Sequence, residues 1–123
     1  MSMFDHVGLR TKRFKVLESF YTKALPTLGI ERLDKYPDAA GYGVKGVSSF
    51  WIGTSRKGPS SVHLAFAAAS RKDVDKFYRK AIKLGAKDNG PPGIRDDYGP
   101  NYYAAYVIDP DGNNIEVVCH KKK

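Results

Sequence analysis

The chain states one pattern twice, and that repeat constrains its fold more than any other feature. Phe4-Asp5-His6-Val7-Gly8-Leu9 is a short alternating, β-prone run, and fourteen residues after His6 comes the aromatic pair Phe20-Tyr21. That pair lies in a segment with helical spacing, Phe14, Leu17, Phe20, Tyr21, Ala24 and Leu25, which stops near Pro26 and Leu28-Gly29. The pattern restarts at Ser61-Val62-His63-Leu64-Ala65-Phe66, with Phe77-Tyr78 fourteen residues after His63 and a stop at Leu84-Gly85. His6 and His63 are 57 residues apart, as are the two aromatic pairs, and the Leu-Gly stops are 56 apart. Histidine is rare, so its recurrence in register with an aromatic pair and a helix stop marks a duplicated unit of strand, helix and further strands.

The spacing predicts the remaining strands at about 30–36, 41–45 and 48–54 in the first half, and at 86–89, 102–108 and 114–120 in the second. Asp109-Pro110-Asp111-Gly112 reads as a hairpin turn, because proline presets φ early in a turn and glycine accepts positive φ late in it. Arg56-Lys57-Gly58-Pro59 is the expected hinge, giving module one about 4–56 and module two about 60–120 within a single domain of 123 residues. Residues 90–100, rich in Gly and Pro, read as one irregular loop.

Composition bounds the rest. Hydrophobic residues are 41% and charged residues 28%, enough apolar material for a core without disulfides. No apolar run approaches a bilayer-spanning length, and no basic stretch leads into an apolar core near Met1, so neither a membrane partner nor a signal peptide is expected. The single Cys119 excludes an intrachain disulfide; a cytoplasmic, reducing location is the expectation. The net charge of +8 is spread over Lys12, Arg13, Lys15, Lys23, the stretch Arg71–Lys83 and the Lys121–Lys123 tail, with no nucleic-acid-binding motif beside it. That distribution reads as solvated helix faces, and nucleic acid is not an expected partner.

Strand parity then gathers three polar residues. Val7 and Leu9 share one face, leaving His6 opposite; Val62, Leu64 and Phe66 leave His63 opposite; Ile115, Val117 and Cys119 leave Glu116 opposite. Two imidazoles and a carboxylate are a ligand set for one divalent metal, Zn, Ni, Mn or Fe, with positions left open for substrate. Either Tyr102 and Tyr106 or Tyr103 face the same side, where a phenol could serve in acid–base catalysis. Trp51 would line the pocket, and Arg95 and Tyr98 on the loop would contact substrate.

With these residues in place, the chain resembles the vicinal oxygen chelate superfamily, which includes glyoxalases, bleomycin-resistance proteins and extradiol dioxygenases. The likeness runs from Asp5-His6-Val7 through Phe20-Tyr21 and His63 to Tyr106–Glu116, where an Asp-Pro-x-Gly turn runs into an Ile-Glu strand. It implies an α+β fold: two βαβββ modules forming a cupped mixed β-sheet with helices on the outer face, often completed as a homodimer. It also implies metal ligands on the first, fourth, fifth and eighth strands. Here the fourth strand, around Phe50-Trp51-Ile52, offers none, unlike glyoxalase I. The expected function is a metal-dependent enzyme, a lyase/isomerase, thiol transferase or dioxygenase, acting on a small oxygen-rich molecule. The alternative is non-catalytic sequestration of a small ligand between aromatic walls.

Overall fold

The computed structural model describes residues 4–122. The first module comprises β1 (Val7–Thr11), α1 (Phe14–Ala24), a 3-10 turn (Leu25–Leu28), β2 (Glu31–Tyr36), β3 (Ala39–Val44) and β4 (Val47–Thr54). The second comprises β5 (His63–Ala67), α2 (Arg71–Lys83), β6 (Lys87–Ile94), β7 (Tyr103–Ile108) and β8 (Asn114–Cys119). Each module makes its own four-stranded mixed sheet, ordered β1-β4-β3-β2 and β5-β8-β7-β6. In both, the first strand of the module (β1 or β5) runs parallel to its neighbour and the other pairs are antiparallel. The sequence repeat is thus a repeat of topology.

One face of each sheet is covered by its helix. Leu9, Ala40, Phe50 and Ile52 meet Leu17, Phe20, Tyr21 and Ala24 from α1, while Ala105, Val107, Ile115 and Val117 meet Val74, Phe77 and Ala81 from α2, all in one apolar core. Burying a side chain such as Phe77 contributes roughly 2 kcal/mol. Helix α2 begins at a Ser70 cap, whose hydroxyl accepts from the Asp73 N–H at 3.1 Å, and carries Asp73 early and Lys80 and Lys83 late. That order complements the helix dipole. Among the described residues the opposite face of each sheet is free of helix.

The structure departs from the irregular loop expected over residues 90–100. Strand β6 runs through Gly90-Pro91-Pro92-Gly93 to Ile94, with register shifts between Asp88 and Gly90 and between Gly90 and Gly93. Proline is tolerated there because β6 is an edge strand, so the missing N–H donors are not needed by a neighbour.

The turn between β7 and β8 is the joint of the molecule. Buried Asp109 accepts from the main-chain N–H groups of Asp111 and Asn113 through Oδ1, both at 2.9 Å. Its Oδ2 accepts from the Asn113 amide at 2.9 Å and from the Tyr21 hydroxyl of α1 at 2.6 Å. Asn113 in turn accepts from the Val62 N–H at 3.0 Å, just before β5. Gly112 completes the turn at φ 92, where a β-carbon would be strained. Arg13, at the start of α1, donates to the Pro110 carbonyl and pairs with Asp111 at 3.2 Å. Burial, then the Asp109 charge and hydrogen bond, push the Tyr21 phenol well above its ordinary range.

Replacing Asp109 by Ala removes four hydrogen bonds and orphans buried donors; we expect a loss of about 3 kcal/mol in urea unfolding. Tyr21 gives a second expectation. Its folded pKa lies above the unfolded value of 10.0, so its contribution is intact below that pH and declines as pH rises past it. Tyr21→Phe should flatten the alkaline fall in melting temperature; an unchanged alkaline limb would contradict the assignment.

Candidate metal centre

The helix-free face of the second sheet holds a cavity of about 430 Å³ lined by His63, Tyr98, Tyr102, Tyr106, Asn114 and Glu116. Glu116 lies in mid-β8, between Ala65 of β5 and Tyr106 of β7, and only 3% of it is exposed. His63 opens β5 opposite Asn114 and reaches diagonally along the sheet, bringing Nε2 to 3.0 Å from the Glu116 Oε1. The Tyr102 hydroxyl donates to the other oxygen, Oε2, in a short hydrogen bond. Both carboxylate oxygens are therefore held, one by an imidazole and one by a phenol.

The phenols have a defined state. Burial, then the hydrogen bond and charge of Glu116, raise the Tyr102 pKa far above its ordinary value of 10.0. Burial and the Glu116 charge raise Tyr106 as well. Near neutral pH both are O–H donors, able to give a proton or a hydrogen bond but not to act as phenolate bases. Of the two sets left open by parity, Tyr102 and Tyr106 face the cavity. Tyr103 turns to the helix side and donates to Asp75 at 2.6 Å.

Whether these residues suit a divalent metal can be read from the ring nitrogens. The His63 Nδ1 lies 3.0 Å from the main-chain oxygen of Asn114, which only accepts, so Nδ1 carries a proton. In a neutral ring Nε2 then presents its lone pair towards a carboxylate oxygen. The 3.0 Å approach of Nε2 and Oε1 brings two lone-pair atoms together where a shared proton or a metal ion would be held. His6 is prepared in the same way: its Nδ1 is held by Asp5 at 2.7 Å, leaving Nε2 for another partner. An Nδ1 held by oxygen is the usual support for an Nε2 ligand. The donor set fits, but it is divided.

His6 lies just before β1 and lines a different cavity, with Gly8, Arg10 and Trp51 on the first sheet. It also borders the gap between the two sheets, with Phe50 and Ala65. Among the described residues, no group of three or more His, Cys, Asp or Glu side chains is placed to hold a metal. Trp51 stands with His6, away from the His63–Glu116 cavity. Tyr98 lines that cavity and meets the Tyr102 ring at 5.2 Å between centroids. Arg95 does not line it: its guanidinium sits over the Tyr106 ring at 5.4 Å and donates to the Pro91 carbonyl at 2.6 Å. Two participants went unread in the sequence. Asn114 acts through its main-chain oxygen, which leaves no side-chain signal; Asp5 adjoins His6 and was legible only as a neighbour.

Paired βαβββ modules with a His–Glu couple on a helix-free sheet face define a class of small two-module proteins. The chain matches the family described as the Glyoxalase/Bleomycin resistance protein/Dioxygenase superfamily over residues 3–117, and belongs to it. Among solved structures, a glyoxalase/bleomycin resistance protein from Albidiferax ferrireducens T118 is 32% identical, with a TM-score of 0.83, covering 98% of this chain and 100% of that one. A putative glyoxalase from Bacillus halodurans is 25% identical, with a TM-score of 0.73, covering 97% and 96% respectively. A glyoxalase/bleomycin resistance protein/dioxygenase family enzyme from Burkholderia phytofirmans PsJN is similar in fold, at 20% identity and TM-score 0.73, covering 95% and 98%. No curated protein matches the chain. Membership carries a small-molecule-binding or enzymatic role of the superfamily's kind. Among the described residues no helix is long and apolar enough to cross a membrane.

Site-resolved NMR of isotope-labelled tyrosine should find Tyr102 still protonated where an ordinary tyrosine has ionised. Glu116→Gln should lower that pKa, since the neighbouring negative charge is gone. An unmoved Tyr102 titration would contradict the Glu116 contact.

Proposed function

We propose that the chain is a metal-dependent enzyme of the glyoxalase/dioxygenase type acting on a small oxygen-rich molecule. His63, Glu116 and His6 are its metal ligands, with Zn, Ni, Mn or Fe as the candidate metals. The observation that carries this reading is the His63–Glu116 pair, two electron-rich ligand atoms 3.0 Å apart on the floor of a cavity. A divalent metal held by these residues would supply Lewis acidity towards substrate oxygens.

The chain's own residues do the rest. The Asn114 carbonyl fixes the His63 ring, and Tyr102 fixes the Glu116 carboxylate by its short hydrogen bond. A Tyr102 phenol kept protonated at neutral pH is also a proton donor within the cavity. Tyr98 and Tyr106 line the site, and the Arg95 guanidinium rests over the Tyr106 ring. The reaction is of the lyase/isomerase, thiol-transfer or dioxygenase type, and the cytoplasm is its place.

His6 joins the centre from a second copy of the chain, making the protein a homodimer. Each histidine stands at the start of an edge strand, so a copy laid alongside can bring His6 of the partner subunit to the His63–Glu116 pair. The second reading, sequestration without chemistry, is favoured by the three tyrosines around the cavity and by the meeting of two of the three ligands among the described residues.

Metal titration separates the two readings. Calorimetry with each candidate metal should show binding to the native chain, weakened about a hundredfold or more in His63→Ala and Glu116→Ala. Absence of binding by the native chain would leave sequestration. Mixed dimers of His6→Ala and Glu116→Ala chains should regain one intact centre each; failure to regain metal would sink the shared centre.

A further inference from the structure

The two sheets share one register of parallel pairing. In the first sheet Gly8 of β1 pairs with Trp51 of β4; in the second Ala65 of β5 pairs with Glu116 of β8. Gly8 and Ala65 are 57 residues apart, the spacing of His6 and His63, so Trp51 occupies the place that Glu116 occupies in the other half. Both copies of the unit carry the histidine, while at this place one carries a carboxylate and the other an indole. The surroundings fit that exchange. Glu116 faces Tyr106 on the next strand, whereas Trp51 faces Gly41. A β-carbon at Gly41 would lie 2.9 Å from the Trp51 Cη2, so the indole lies across the sheet in room that only glycine leaves.

The result is a cavity of about 410 Å³ with the half-buried indole, Gly8 and Gly53 in its wall and Arg10 at its side. That size suits a small organic ligand. Arg10 binds Ser60 through its main-chain N–H and C=O, and among the described residues its guanidinium has no ion-pair partner. We propose that this cavity binds a planar aromatic carboxylate, its ring flat on the Trp51 indole and its carboxylate on the Arg10 guanidinium. A π face favours a flat ring over a puckered one, and a guanidinium favours a planar anion. The assignment deepens the proposed function by naming the part of the substrate that the metal does not touch. Its link to that substrate rests on the metal reading, in which His6 of the same cavity is a ligand; the contacts claimed for the aromatic carboxylate are Trp51 and Arg10 alone.

Trp51 is the sole tryptophan, so its indole N–H gives a single NMR resonance and a direct reporter. The full chain is titrated with naphthoate in the presence of a chelator, which removes metal from the experiment. We expect a saturable shift of the indole resonance. Binding should weaken about tenfold in Arg10→Ala and with cyclohexanecarboxylate, which has the charge but no flat ring. Gly41→Val, which crowds the indole, should also weaken binding; if that variant fails to fold, Arg10→Ala and the cyclohexane analogue decide the matter. No saturable shift, equal affinity for the cyclohexane analogue, or unchanged affinity in Arg10→Ala overturns the proposal. Because metal is absent, these outcomes are independent of whether His63 and Glu116 bind it.

Discussion

The Asp109 carboxylate is the point on which the rest of the structure depends. It accepts four hydrogen bonds in a buried place, three within its own turn and one from Tyr21 of the other module. Removing a carboxylate from water is costly, and the cost is offset only because every lone pair it turns inward meets a donor. That requirement makes the turn rigid and ties it to α1. It also sets the first residue of β8, and through Asn113 it holds the chain just before β5. His63 and Glu116 begin one and three residues beyond these anchors. Their 3.0 Å approach is thus a consequence of a turn that touches neither.

The second theme is divergence within a duplicated frame. Topology, histidine position and aromatic pair persist in both modules, yet the residues around them have separated in chemistry. Tyr21 is fully buried and bonds Asp109, while its counterpart Tyr78 reaches the surface and bonds Asp88. Glu116 faces a tyrosine where Trp51 faces a glycine. One sheet presents a carboxylate, an imidazole and phenols, a polar cavity suited to holding positive charge. The other presents an indole with an arginine beside it, an apolar cavity suited to a flat anion. A single chain therefore offers two halves with complementary preferences.

Much of the fold was legible in advance because its signals are local. Strand parity separated Leu9 from His6 and Ile115 from Glu116, since side chains alternate whatever the tertiary setting. The Asp109–Gly112 turn and the stop after α1 follow from the restricted φ of proline and the freedom of glycine. The stretch 90–94 reads as loop in the sequence yet forms strand, because glycine and proline suppress a strand signal even where an edge strand tolerates them. Trp51 was expected to line the pocket and Arg95 to contact substrate from the loop. Trp51 stands in a cavity with His6 and Arg95 lies over the Tyr106 ring, places that depend on side-chain reach and the relation of two sheets, which spacing does not encode.

The sequence by itself determined the duplication, the fold family, the sheet faces and the residue types available for chemistry. These rest on periodicity, turn stereochemistry and register, which act over a few residues. Only the tertiary structure decided that His63 and Glu116 meet, that Tyr102 rather than Tyr103 joins them, and that His6 stands apart beside Trp51. Those outcomes depend on how β8 lies between β5 and β7 and on which strand lies at an edge. Such relations are set by packing and buried hydrogen bonds between segments far apart in the chain.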